Sequence, residues 1–125
     1  MNKYSYVHIK GLVMMMSEQE TVHETEMLDK EIEQDVANLF SALSSPTRIK
    51  ILFLLKQQSL TVTQICDRLD VSQSAVSHQL RELKFARLVK SQKHGREMIY
   101  QLDDIHVHEI FDVAIEHVKE IYHYE

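Results

Sequence analysis

One cysteine, Cys66, one proline, two glycines and no tryptophan occur in 125 residues. A lone thiol excludes an intramolecular disulfide framework and any multi-thiolate zinc or cadmium site within one protomer, and it suits a reducing cytosol. So few turn-forming residues, with 7% aromatics, do not support an all-β sandwich or barrel, and no segment has a low-complexity bias. No stretch approaches the roughly 20 apolar residues needed to span a bilayer. What is present, 44% hydrophobic and 26% charged residues, fits a helix-rich domain with one core, expected in the cytoplasm and without a membrane partner.

The formal net charge of −5 argues against nucleic acid only until it is divided along the chain. Residues 1–45 carry three cations against eight acids, and residues 97–125 carry one cation, Lys119, against eight acids. Residues 46–96 hold ten cations, among them Arg48, Arg81, Lys84, Lys90, Lys93 and Arg96, against Asp67, Asp70 and Glu82. A basic module in an acidic frame is the footprint that a phosphate backbone requires.

The apolar run Gly11 to Met16 follows Lys3 and Lys10 but stops at Ser17-Glu18-Gln19-Glu20, with neither the length nor the cleavage site of a signal peptide. The successive Met14, Met15 and Met16 leave open a translation start near Met16. Residues 1–27 are expected to be a mobile extension and residues 28–125 the folded domain. From about Leu28, the residues Ile32, Val36, Leu39, Phe40 and Leu43 repeat at the spacing of one helix face. Ser45 is placed to cap a second helix beginning at Pro46, where proline is tolerated; its Ile49, Ile51, Leu52, Phe53, Leu54 and Leu55 predict a buried central element over Pro46–Lys56. Thr61 caps a short helix with Val62, Ile65 and Leu69 inward, and Val71-Ser72 turns into another with Val76, Leu80 and Leu83 inward. Leu88–Gln92 and Arg96–Leu102 predict two strands around Lys93-His94-Gly95, with Met98, Tyr100 and Leu102 as strand core. A last helix runs from about Asp104 to the end. This order is that of a winged helix-turn-helix, mainly α with a two-stranded β wing.

On the second helix of the pair, Gln73, Ser74, Ser77, His78, Arg81 and Lys84 lie opposite the apolar stripe. Short hydroxyls and amides near a helix N-terminus approach base edges closely, while Arg81 and Lys84 reach phosphates. The same polar face would also suit any solvated amphipathic helix; the cationic hairpin of Lys90, Lys93 and Arg96, with Gly95 at its turn, favours DNA. His94 reads as a wing residue, and Cys66 as part of the core.

The stretch LSSPTRIKIL from Leu43, followed by VSQSAVSHQLRELKFARLVKSQKHGREMIYQL from Val71, resembles the ArsR/SmtB family of winged-helix metal-sensing repressors over most of residues 28–122. The resemblance implies a homodimer formed through the first and last core helices, with two recognition helices reading a palindromic operator. It singles out Gln73, Ser74, Ser77 and His78 as base-contacting positions.

The last helix carries Asp104, His106, His117 and Glu120, all zinc-ligating types. His106 and His117 point the same way, about 20° apart, yet sit roughly 16 Å apart along the axis. One helix cannot close this set on one ion; an antiparallel copy would bring His117 and Glu120 of one protomer beside Asp104 and His106 of the other. The family resemblance implies the last-helix site of its zinc-sensing branch. Thr61 and Thr63 stand where some relatives place a thiolate pair, which disfavours cadmium, lead, arsenic and antimony. Two histidines and two carboxylates suit tetrahedral Zn(II), with Co(II) as a substitute.

The leading expectation is therefore a repressor that binds operator DNA as the apo homodimer and is released by Zn(II), derepressing a metal efflux or resistance gene. A nickel or cobalt sensor drawing extra ligands from His8, His23, His108 or His123 is an alternative, as is a DNA-binding dimer whose zinc is purely structural. An enzyme is disfavoured, because four protein ligands leave no open metal position and no general base or organic-substrate cleft is evident.

Overall fold

Ser45 shows how local chemistry starts the framework: its hydroxyl accepts from the Arg48 N–H at 3.4 Å, and Pro46 opens the helix that follows. The computed structural model of the chain describes residues 25–125. Residues 31–125 form one compact unit. The elements are α1 (Lys30–Ala42), α2 (Pro46–Gln57), β1 (Leu60–Thr61), α3 (Val62–Leu69), α4 (Gln73–Phe85), β2 (Val89–His94), β3 (Glu97–Leu102) and α5 (Ile105–Tyr122). This is a winged helix-turn-helix. Most of residues 1–27 lie outside the described residues, as do His8 and His23.

The core is wholly apolar. Ile51, Leu52 and Leu55 of α2 meet Ile65 of α3, the Val76, Leu80 and Leu83 stripe of α4, Leu88, Val89, Leu102, and Val107 and Phe111 of α5. No polar or charged side chain among the described residues is fully buried. The Lys56–Asp112 ion pair at 2.9 Å and the Phe53–Phe111 ring contact, 6.4 Å between centroids, hold α5 against α2.

Several boundaries differ from the sequence reading. The hairpin strands extend to His94 and begin again at Glu97, so the reversal is a two-residue turn, Gly95-Arg96, rather than Lys93-His94-Gly95. Gly95 has φ +67°, a value that tight hairpin turns demand and glycine adopts without a Cβ penalty. The wing has a third strand: β1 pairs antiparallel with β3, Leu60 opposite Tyr100 and Thr61 opposite Ile99, giving the order β1-β3-β2. Leu102 is buried, but Met98 and Tyr100 are only half-buried.

The largest departure concerns burial. Ile49 and Phe53 of α2, expected inside, are 43% and 46% exposed, and on the α1 stripe Ile32, Val36 and Phe40 are exposed, the last at 59%, while Leu39 and Leu43 pack against the core. On α5, Val113, Val118 and Ile121 are exposed as well. The amphipathic pattern marks apolar stripes, but a single chain does not supply a surface to cover these residues.

Candidate DNA-binding and metal sites

The helix-turn-helix is assembled by caps. Thr61 and Gln64 form a reciprocal capping box at α3, with the Gln64 side chain accepting from the Thr61 N–H at 2.9 Å and the Thr61 hydroxyl accepting from the Gln64 N–H at 3.2 Å. Asp70 closes α3 in the left-handed region at φ 55°, which a short polar side chain tolerates. Ser72 then caps α4 by accepting from the Ala75 N–H at 3.2 Å.

With Val76, Leu80 and Leu83 held inward, Gln73, Ser74, His78 and Arg81 are exposed on α4, and Ser77 is half-buried. A cleft of about 330 Å3 lies between the starts of α3 and α4 and the strand β3; Gln73, Ser77 and Arg96 line it together with Thr61, Thr63 and Tyr100. The fold thus joins two base-reading candidates to the wing arginine in one concavity. Lys90 and Lys93 are exposed on β2. Lys84 is exposed, but its ammonium donates to Ser91 Oγ at 2.7 Å, so it also ties α4 to the wing.

The metal candidates occupy the two ends of α5. Asp104 is the N-cap rather than a residue of the helix: its Oδ1 accepts from the His106 N–H at 2.9 Å and the Val107 N–H at 3.2 Å. The Val107 N–H foremost, joined by that of His106, lowers the carboxyl from its ordinary value against an opposing desolvation. Its second oxygen lies 3.6 Å from His106 Nδ1. A carboxylate with one oxygen committed to a cap and the other beside an imidazole fits a monodentate metal ligand. His117 lies eleven residues from His106, on a shallow cleft of about 490 Å3 with Phe40, Ile110 and Val113. Glu120 is exposed one turn further. Within one chain, no three His, Cys, Asp or Glu side chains gather into a metal-holding group among the described residues. The helix ends at Tyr122, with His123 as a left-handed cap at φ 58°, rather than continuing to the chain end. His108 is half-buried.

A polar pair escaped the sequence reading. Arg48 Nε donates to Gln79 Oε1 at 2.7 Å, and its Nη1 donates to the Ala42 carbonyl at 3.4 Å. Each partner sits on an inward stripe, Arg48 with Leu52 and Leu55, Gln79 between Val76 and Leu83. A polar residue on such a stripe is a signal that a partner exists.

Residues 45–91 match the family described as bacterial regulatory protein, arsR family. A transcriptional repressor SmtB homolog from Synechocystis is 39% identical over 76% of this chain and 72% of its own length. The chain belongs to the ArsR family. A cadmium resistance transcriptional regulatory protein CadC homolog from Staphylococcus aureus is 37% identical over 75% of this chain and 78% of its own. The solution structure of apo-NmtR superposes with a TM-score of 0.65 at 38% identity, covering 78% of this chain and 82% of that one. The homodimeric winged helix-turn-helix DNA-binding domain of a possible ArsR-family regulator from Mycobacterium bovis superposes at 0.71 with 24% identity, over 78% and 92%, a likeness of fold. As an ArsR-family protein the chain is a transcriptional regulator and not an enzyme. No helix among the described residues is long and apolar enough to cross a membrane.

Proposed function

We propose that the chain is a Zn(II)-responsive repressor that binds operator DNA as an apo homodimer and leaves it when metal binds, derepressing a metal efflux or resistance gene. The observation that carries this reading is the stripe His106, Ile110, Val113, His117 on α5, where two metal donors bracket a pair of apolar residues on the face left uncovered beside Phe40 of α1. An apolar face of two helices calls for a partner, and a two-fold copy is the commonest one. An antiparallel α5 would offer Asp104 and His106 to the partner's His117 and Glu120, completing two equivalent four-ligand sites. When bound, Zn(II) supplies charge and tetrahedral geometry and no reaction. The homodimeric Mycobacterium bovis domain, the repressor named SmtB homolog and the cadmium-resistance relative support the coarser part of this reading, a metal-linked DNA-binding repressor.

On the DNA side, Gln73, Ser74, Ser77 and His78 face base edges, and Arg81, Lys84, Lys90, Lys93 and Arg96 face phosphates. Metal and DNA are linked reciprocally: whatever factor by which zinc favours the free dimer is the factor by which DNA affinity falls.

The test is fluorescence anisotropy of a labelled duplex, selected from a random pool by the protein in chelator, titrated at fixed salt with and without Zn(II). The expected result is a loss of affinity of tenfold or more with zinc. Tight binding indifferent to Zn(II) would make the metal structural, and a response to Ni(II) or Co(II) instead would reassign the sensor.

A further inference from the structure

Arg48 stands where three helices meet. Its backbone is fixed in the first turn of α2 by the Ser45 cap, and its guanidinium forks between the last carbonyl of α1, that of Ala42, and the Gln79 side chain of α4. Around this fork α1 and α4 are separated by a cleft of about 620 Å3, lined among others by Asp35, Leu39, Glu82 and Phe85. Ala42, Leu39 and Leu43 pack the end of α1 on the core, but the core does not fill the cleft, and across it the two helices are joined by a directional polar contact. Gln79 directly follows Ser77 and His78, so its position sets theirs.

We propose that Arg48 is a positioning residue: through Gln79 it sets the recognition helix at a defined angle to α1, and thereby the separation of the two recognition helices across the dimer. This rests on the homodimeric DNA-binding reading above. A dimer reads two half-sites about one helical turn of DNA apart. An error in spacing therefore penalises binding to a complete two-fold site, whereas a single half-site is insensitive to it. The fork also explains why an arginine and a glutamine occupy inward stripes: Arg is planar and can hold two acceptors in fixed directions, which lysine does not do.

The experiment compares affinities for a full two-fold duplex, selected by the wild-type protein, with those for a duplex holding one of its halves. Gln79→Leu keeps size and removes the acceptor; Arg48→Lys keeps charge and removes the fork; Gln79→Glu retains the acceptor and adds charge. The expected result is a fall of tenfold or more on the full site for Gln79→Leu and Arg48→Lys, half-site affinity within twofold of wild type, unchanged dimerisation by sedimentation, and full-site binding near wild type for Gln79→Glu. Equal losses on both duplexes would mean a general structural role, and no loss on either would mean the contact is incidental; each overturns the proposal. A wild-type protein with no preference for the full site would instead remove the dimeric reading itself, an outcome distinct from both.

Discussion

Lys84, near the end of α4, donates to the hydroxyl of Ser91 on β2 at 2.7 Å, so the helix that carries the proposed base-reading side chains and the wing are joined by a side-chain hydrogen bond. An ammonium has three donors, and one committed to Ser91 leaves others for a phosphate. Ser91→Ala is expected to lower DNA affinity a few-fold by loosening the wing, with the salt dependence unchanged. Lys84→Ala is expected to lower affinity further and to reduce the slope of log affinity against log salt by about one, the contribution of one phosphate contact. Anisotropy titrations at several salt concentrations check both; an unchanged slope for Lys84→Ala would limit the lysine to its contact with Ser91.

The Asp104 cap makes alanine a poor test of metal ligation, because Asp104→Ala removes the proposed ligand and frays α5 together. Asp104→Asn keeps a capping oxygen and discards the charge. It is expected to retain the helical far-UV signal and operator binding while losing the zinc response. The carboxyl also gives α5 a sign in pH. Its folded-state pKa lies below the ordinary value, so the cap stabilises above the unfolded value and is lost as pH falls through the lowered one. Wild-type α5 should therefore fray at acid pH in a circular dichroism titration, with that step absent in Asp104→Asn.

Arg87 follows α4 with φ 62°, its N–H donating to the Lys84 carbonyl and that of Leu88 to the Leu83 carbonyl. This left-handed helix ending suits glycine. A non-glycine residue there costs about 1–2 kcal/mol, and glycine's greater freedom when unfolded offsets about 0.5–1 kcal/mol. Arg87→Gly is expected to raise stability by up to about 1 kcal/mol, seen as a higher urea midpoint at unchanged m-value. A lower midpoint would show that the arginine side chain contributes more than its backbone costs.

Val113 is 62% exposed on the α5 face shared with His117. Val113→Glu places a carboxylate there without disturbing the core of the single chain. The variant should fold, by circular dichroism, yet sediment as a monomer at concentrations where the wild type is dimeric. A variant that remained dimeric would move the interface away from α5.

Much of this framework is legible along the chain because it is local. Ser45, Thr61 and Ser72 are caps by virtue of a hydroxyl reaching an N–H three residues on, and the Val76, Leu80, Leu83 stripe follows from helical period alone. The hairpin turn was misplaced for the opposite reason. Its register comes from cross-strand pairs such as Val89 with Leu102 and His94 with Glu97, and composition near Gly95 does not distinguish a turn there from one a residue or two earlier. Strand β1, only two residues long, has no alternation to read and exists through its pairing with β3.

The amino-acid sequence by itself determined the helical stripes and their caps, the basic centre between acidic ends, and the choice of ligand types on α5, because each depends on side chains within a few residues of one another. Only the tertiary structure decided that Asp104 spends one oxygen on a cap, that Lys84 meets Ser91, that Arg48 joins α1 to Gln79, and that Ile49, Phe53 and Phe40 remain open to water. Those outcomes depend on where distant segments come together, and a polar group on an inward stripe announces its need for a partner without saying which partner will meet it.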